Sequence, residues 1–232
     1  MCQFMRGEAP RILWALIMLA TPTFAQNKTP VAIELVLALD SSASVDAREF
    51  QLQNEGVALA LKDPDVLQAV NNLKPFGAAI AVIQWGGPNE THVVLPFTHI
   101  ENVRDAKAFA FRVGLIRRWM WASATSIATG INDARALIDS NEFEGQRKVI
   151  DVSGDGPDNS NVDLDAARSD ALAAGITING VSIEAEDKGL QKYYVEHVIS
   201  GADSFVEPAQ GFEDFARAIK EKLLRELRPL GS

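Results

Sequence analysis

Cysteine is nearly absent from this chain: the single one, Cys2, lies at the very start of 232 residues. A mature protein without its first residues therefore has no disulfide, no thiol nucleophile and no sulfur metal ligand, and its fold rests on a packed core alone. Histidine is scarce too, and His92, His99 and His197 show no metal-ligand spacing, so they read as surface or core residues. Positive charge is in deficit, with 22 Lys and Arg against 31 Asp and Glu and a formal net charge of -9. That balance argues against nucleic acid or an anionic membrane surface as a partner. A serine-hydrolase elbow is missing, because Asp151 and Asp155 stand where glycines would flank Ser153. Gly154-Asp155-Gly156 does not open a dinucleotide loop: Asn159 occupies the third glycine position, and Asp155 would repel a pyrophosphate.

Long apolar runs are also missing. The strongest, Ile12 to Ala20, is too short for a comfortable membrane span. Arg6 and Arg11 precede it, and Thr21-Pro22-Thr23-Phe24-Ala25 follows. This order reads as a secretory signal over residues 1–25, with residues 26–232 as the mature domain and an uncleaved anchor as the alternative. What is present is ordinary for a soluble globular domain: 47% apolar and 23% charged residues, with no repeat or polar linker dividing the chain.

Strand and helix patterns alternate along the mature part. Val31 to Leu39 is nearly all apolar, broken only by Glu34, and predicts a strand buried on both faces. Asp46 with Glu49 resembles a capping box that opens a helix running to Leu61, and Asp65 to Leu73 predicts a short second helix. Gly77 to Trp85 and His92 to Phe97 read as strands that pair in a hairpin. Helices are expected over Asn102–Arg118, Ser126–Ser140, Asp163–Ala174, Asp187–Ile199 and Phe212–Leu227. The last has Phe212, Phe215, Ala216, Ile219, Leu223 and Leu227 facing inward. Further strands fall over Arg147–Ser153, Ile176–Ile183 and Ser204–Val206. Such alternation predicts an α/β fold: a doubly wound, mostly parallel six-stranded sheet with helices on both faces.

In sheets of this kind ligands bind beyond the carboxyl ends of the strands, where Asp40 and Asp155 fall. After Asp40 come Ser42 and Ser44 at alternate positions. In an extended loop those three side chains point the same way, and all offer oxygen, which suits a hard divalent cation. The competing reading is a simple helix cap by Ser44 or Asp46.

Asp40-Ser41-Ser42-Ala43-Ser44 resembles the Asp-x-Ser-x-Ser signature of von Willebrand factor type A domains. A later threonine and a later Asp-Gly complete the metal-ion-dependent adhesion site of that family, and Thr125 and Asp155-Gly156 resemble them here. The resemblance spans essentially the whole mature chain, and is greatest to exported bacterial single-domain members whose function is not established. Two departures stand out: Ser123-Ala124 where glycines usually precede the threonine, and Gly154 where a threonine often precedes the Asp-Gly. Neither removes a ligand.

The resemblance implies a Rossmann-like fold and a metal set of Asp40, Ser42, Ser44, Thr125 and Asp155. In that family pattern the three hydroxyls touch the ion and the two carboxylates hold it largely through water. Magnesium is the expected ion, with manganese or calcium as alternatives. The implied function is capture of an acidic side chain on another protein by an exported, periplasmic or secreted, non-enzymatic adhesion module. Trp119 and Trp121 flank the Thr125 loop as a candidate aromatic rim or as packing residues. Arg118, with Arg112 and Arg117, would steer an acidic partner or complement a helix end. The rival functions are a metal-dependent hydrolase, for which no general base or nucleophile is evident beside the ligands, and a scaffold whose site has lost function.

Overall fold

The apolar run from Val31 to Leu39 becomes a central strand because it has a strand on either side and helices above and below. The computed structural model describes residues 28–119, 124–185 and 187–228, and the expected leader lies outside them. Six strands make one sheet: β1 (Thr29–Asp40), β2 (Ala78–Trp85), β3 (Thr91–Ile100), β4 (Phe143–Gly154), β5 (Ile176–Ile183) and β6 (Val206–Ala209). Their order is β3-β2-β1-β4-β5-β6, and every neighbouring pair is parallel except the β2–β3 hairpin. The two edge strands, β3 and β6, carry Pro96 and Pro208 respectively, and the β2–β3 register shifts between Ile80 and Ile83.

Glu34, the one charge in the β1 run, is fully buried yet satisfied. Its carboxylate accepts hydrogen bonds from the Gly145 amide at 2.6 Å and from the Asn141 side chain. A buried carboxylate needs such donors: Asn141, at the end of α4, supplies one, and β4 supplies the other by starting at Phe143, several residues before the expected Arg147, where it pairs with Thr29.

The described helices are α1 (Ala47–Ala60), α2 (Pro64–Asn72), α3 (Val103–Val113), α4 (Ile127–Ser140), α5 (Leu164–Ala173), α6 (Leu190–Tyr193) and α7 (Phe215–Glu226). Side chains of α1, α2, α3 and α7 share one core with one face of the sheet, including Phe50, Val57, Phe109, Phe215 and Ile219. The other face packs against α4, α5 and α6 through Ile127, Ile131, Ala171 and Leu190.

Three elements differ from expectation for visible reasons. α3 ends at Val113 rather than Arg118, because the following segment is captured by Gln84: its side chain donates to the Arg117 carbonyl and accepts from the Trp119 amide, both at 2.8 Å. The helix expected over Asp187–Ile199 is shorter and irregular: α6 (Leu190–Tyr193) runs on directly as a π-helix over Tyr194–Val198. On α7, Ala216 is only half-buried, whereas Lys222 and Glu226 are buried with Phe215, Ile219 and Leu223. Lys222 lies 3.0 Å from Asp151 of β4 and also bonds Glu226, whose carboxylate accepts from Asn179 of β5 at 2.8 Å.

Candidate metal centre

β1 and β4 are neighbours whose onward connections diverge, β1 to β2 on one side and β4 to β5 on the other, so the sheet switches direction between them. Leu39 pairs with Ser153, which brings the loops after the two strands side by side at their carboxyl ends. This is where an open α/β sheet forms a crevice.

The loop after β1 folds back on itself. The Ser42 amide donates to Asp40 Oδ1 at 2.7 Å, and the Ser42 and Ser44 hydroxyls are 3.2 Å apart. Ser44 then donates to Asp155 Oδ1 at 2.7 Å, joining the two loops. Helix capping is done separately by Asp46, whose side chain accepts from the Arg48 and Glu49 amides while Glu49 accepts from the Asp46 amide. Thus Ser42 and Ser44 are not consumed as caps.

The backbone of this loop is braced from three sides. Arg118 donates to the carbonyls of Ser41 and Ser42 at 2.9 and 2.6 Å. Gln53 of α1 donates to the Asp40 carbonyl at 3.0 Å, and the Ser41 hydroxyl donates to the Trp85 carbonyl at 3.2 Å. Arg118 therefore acts as a brace in this structure.

Thr125 is buried and fastened to the segment after Asp155. Its amide donates to Asn159 Oδ1 at 2.8 Å, and its carbonyl accepts from the Asn159 amide at 3.0 Å. Asp158 accepts from the Ala128 amide in the first turn of α4 at 3.1 Å, where the helix dipole favours negative charge. Trp119 is 66% exposed and stacks on His92 with ring centroids 4.3 Å apart. Trp121 lies outside the described residues.

Asp40 is the electrostatic centre of the crevice. Burial first, and the charge of Asp155 second, push its carboxyl up to about 7, against hydrogen bonds from Ser42 that favour the ionised form. Its Oδ2 is buried and has no hydrogen-bond partner among the described residues. An orphaned carboxylate oxygen, a second carboxylate nearby and hydroxyls between them are all oxygen donors, so the residues fit a hard divalent cation. The described residues contain no group of three or more His, Cys, Asp and Glu, so the hydroxyls would have to complete the ligand set.

Several residues escaped sequence reasoning. Trp85, Gln53 and Gln84 lie in or beside elements whose apolar pattern hides their polar contacts. Asp158 and Asn159 stood in an obvious turn cluster but carried no signature. The only two tyrosines, Tyr193 and Tyr194, are adjacent, and Tyr193 accepts from the Asp158 amide at 3.1 Å.

The sheet order, the two helical layers and the paired loops at the switch point define a von Willebrand factor type A fold. Within that class the chain belongs to the family described as protein of unknown function DUF1194, whose model matches residues 30–230. No curated protein sequence matches it significantly.

Solved structures place the fold more widely. Proximal thread matrix protein 1 from the mussel byssus aligns with a TM-score of 0.62 at 15% identity, covering 86% of this chain and 47% of that one. This chain therefore spans about half the length of that protein. Another structure of it, described as having a zinc-occupied metal-ion-dependent adhesion site motif, gives 0.61 at 14% identity, covering 88% and 48%. A von Willebrand factor type A structure from Catenulispora acidiphila gives 0.60 at 19% identity, covering 85% and 43%. The corresponding domain of the pilus tip protein Mfa5 from Porphyromonas gingivalis gives 0.59 at 12% identity, covering 85% and 95%.

Proposed function

We propose that this chain is an exported, metal-dependent protein-binding module of the adhesion type, periplasmic or secreted in a bacterium, and not an enzyme. The observation that carries this reading is the buried Asp40 carboxylate facing Asp155 across the hydroxyls of Ser42 and Ser44, at the switch point of the sheet. Asp40, Ser42, Ser44, Thr125 and Asp155 are the residues that would hold the cation. Asp40 and Asp155 repel each other without it, and a positive ion relieves both that repulsion and the cost of burying a carboxylate.

The oxygen-only donor set favours magnesium, with manganese or calcium as alternatives. When bound, the ion supplies a local positive centre on an acidic protein, and the neutral hydroxyls leave its charge available to a carboxylate on a partner. Arg118 holds the carbonyls of the loop in place, and Trp119 presents an exposed ring stacked on His92 of β3. The reading gains support from relatives in fold that are matrix and pilus proteins, one with zinc in its adhesion-site motif.

The test is thermal unfolding with millimolar magnesium or manganese against a chelator, combined with pull-down from a bacterial envelope fraction under the same conditions. A ligand that binds only the folded state at 100 times its Kd stabilises it by about 2.7 kcal/mol. Asp155→Ala should remove the shift and the metal-dependent capture. No shift in the unaltered protein with any divalent ion would overturn the proposal.

A further inference from the structure

Both tyrosines come from the short segment where α6 runs into the π turn; Tyr193 reaches the loop after β4, and Tyr194 reaches the end of β4 itself. Tyr193 meets the Asp158 amide, whereas Tyr194 is fully buried. Its ring lies across Gly180 of β5: a Cβ there would stand 2.7 Å from Tyr194 Cδ1. Its hydroxyl lies against Gly154 of β4, where a Cβ would stand 2.6 Å from the phenol oxygen. Both approaches require the absence of a side chain, and they account for glycine directly before Asp155.

The same Cβ position at Gly154 would lie 2.9 Å from Asp40 Oδ2. The phenol oxygen and the carboxylate oxygen therefore flank one point, and neither has a hydrogen-bond partner among the described residues. Leaving a buried hydroxyl unsatisfied is destabilising, and phenylalanine would fill the same trough without that penalty. Burial first, then the charges of Asp40 and Asp155, hold the Tyr194 pKa well above its usual value. The hydroxyl thus keeps its proton, and the acceptor that faces it is a carboxylate.

We propose that Tyr194 is a positioning residue of the metal centre: its hydroxyl, admitted by Gly154, donates to Asp40 Oδ2 through one water and orients that carboxylate toward the ion. The inference rests on the metal-binding reading and adds to it a phenol that the adhesion-site signature does not contain. Outer-shell donors of this kind change metal affinity by about 10- to 100-fold when removed.

The experiment is calorimetric titration of manganese and magnesium into the full chain, with melting temperatures taken in chelator. Tyr194→Phe should raise the Kd about tenfold while leaving the melting temperature in chelator unchanged or higher. Gly154→Ala should weaken binding similarly by displacing the hydroxyl, and the double variant should be no worse than either alone. An unchanged Kd in Tyr194→Phe, with binding abolished in Asp155→Ala, overturns this inference and leaves the metal site standing. Parallel loss of affinity and melting temperature in Tyr194→Phe, or additive losses in the double variant, assign Tyr194 to packing and also overturn it. If the unaltered protein binds neither ion, the metal reading fails and this inference with it.

Discussion

Ser44 and Asp155 are 111 residues apart in sequence and 2.7 Å apart in space, the serine hydroxyl donating to the carboxylate. This bond joins the loop after the central strand to the loop after its neighbour, so the two halves of the candidate site are registered before any ion arrives. Ser44 is exposed, and replacing it should affect the site far more than the fold. Ser44→Ala is expected to raise the Kd for magnesium at least tenfold while changing stability in chelator by less than about 1 kcal/mol. Calorimetric titration and urea unfolding check the two halves of that statement.

Arg118 offers the opposite balance. Its guanidinium serves the Ser41 and Ser42 carbonyls, and truncation leaves those buried acceptors without their charged donor. Arg118→Ala should cost about 2–3 kcal/mol of stability by chemical denaturation even without metal. Arg118→Lys should recover part of it, since an ammonium can reach one carbonyl but does not reproduce the fork.

Among the described residues, Lys222 is the ammonium that pairs with both buried carboxylates, Asp151 and Glu226. Lys222→Met keeps the volume but removes the ammonium from both acids, leaving Glu226 only its Asn179 hydrogen bond and the charge of Arg147, a change worth about 3–5 kcal/mol near neutral pH. Combining it with Asp151→Asn and Glu226→Gln should restore most of the loss, measured by the midpoint of urea unfolding.

In chelator the protein should be more stable at pH 5 than at pH 8. Burial raises both Asp40 and Asp151 to about 7, the latter with help from Glu226 and against the pull of Lys222. A carboxyl with a folded pKa above its unfolded value binds more protons when folded, so stability falls as pH climbs from about 4 to about 7 and then levels off. Asp214 works in the other direction, because the hydrogen bond from Arg217 lowers its pKa, but it is solvent-accessible and its effect is small. The net effect is on the order of a few kcal/mol. Saturating magnesium should flatten the Asp40 part of the slope. Unfolding free energies across that pH range, with and without the ion, provide the check.

The fold was legible because its signals are local. The β1 run, the capping box at Asp46 and Glu49, and the turn cluster after β4 each declare their element within a few residues. The candidate site was legible for a different reason: Asp40, Ser42 and Ser44 sit in one short signature, and a strand end marks Asp155. What stayed hidden needed partners from distant segments. Lys222 and Glu226 look like an ordinary polar flank on an amphipathic helix until β4 and β5 place Asp151 and Asn179 beneath them. Tyr194 looks like a core aromatic until two strands each present a glycine to its ring and hydroxyl. Arg118 reads in sequence as a charge at the C-terminal end of α3, and the helix stops earlier once Gln84 takes hold of Arg117 and Trp119.

The prolines on the two outer strands bear on how this molecule can meet another. Pro96 in β3 and Pro208 in β6 each remove a backbone donor, and the shifted register beside β3 twists that rim further. Neither rim offers an uninterrupted ladder on which a foreign strand could grow. An association by strand addition at either rim is thus disfavoured, and a partner engaging the end of the sheet that carries Asp40 and Asp155 would meet side chains instead of a free backbone edge.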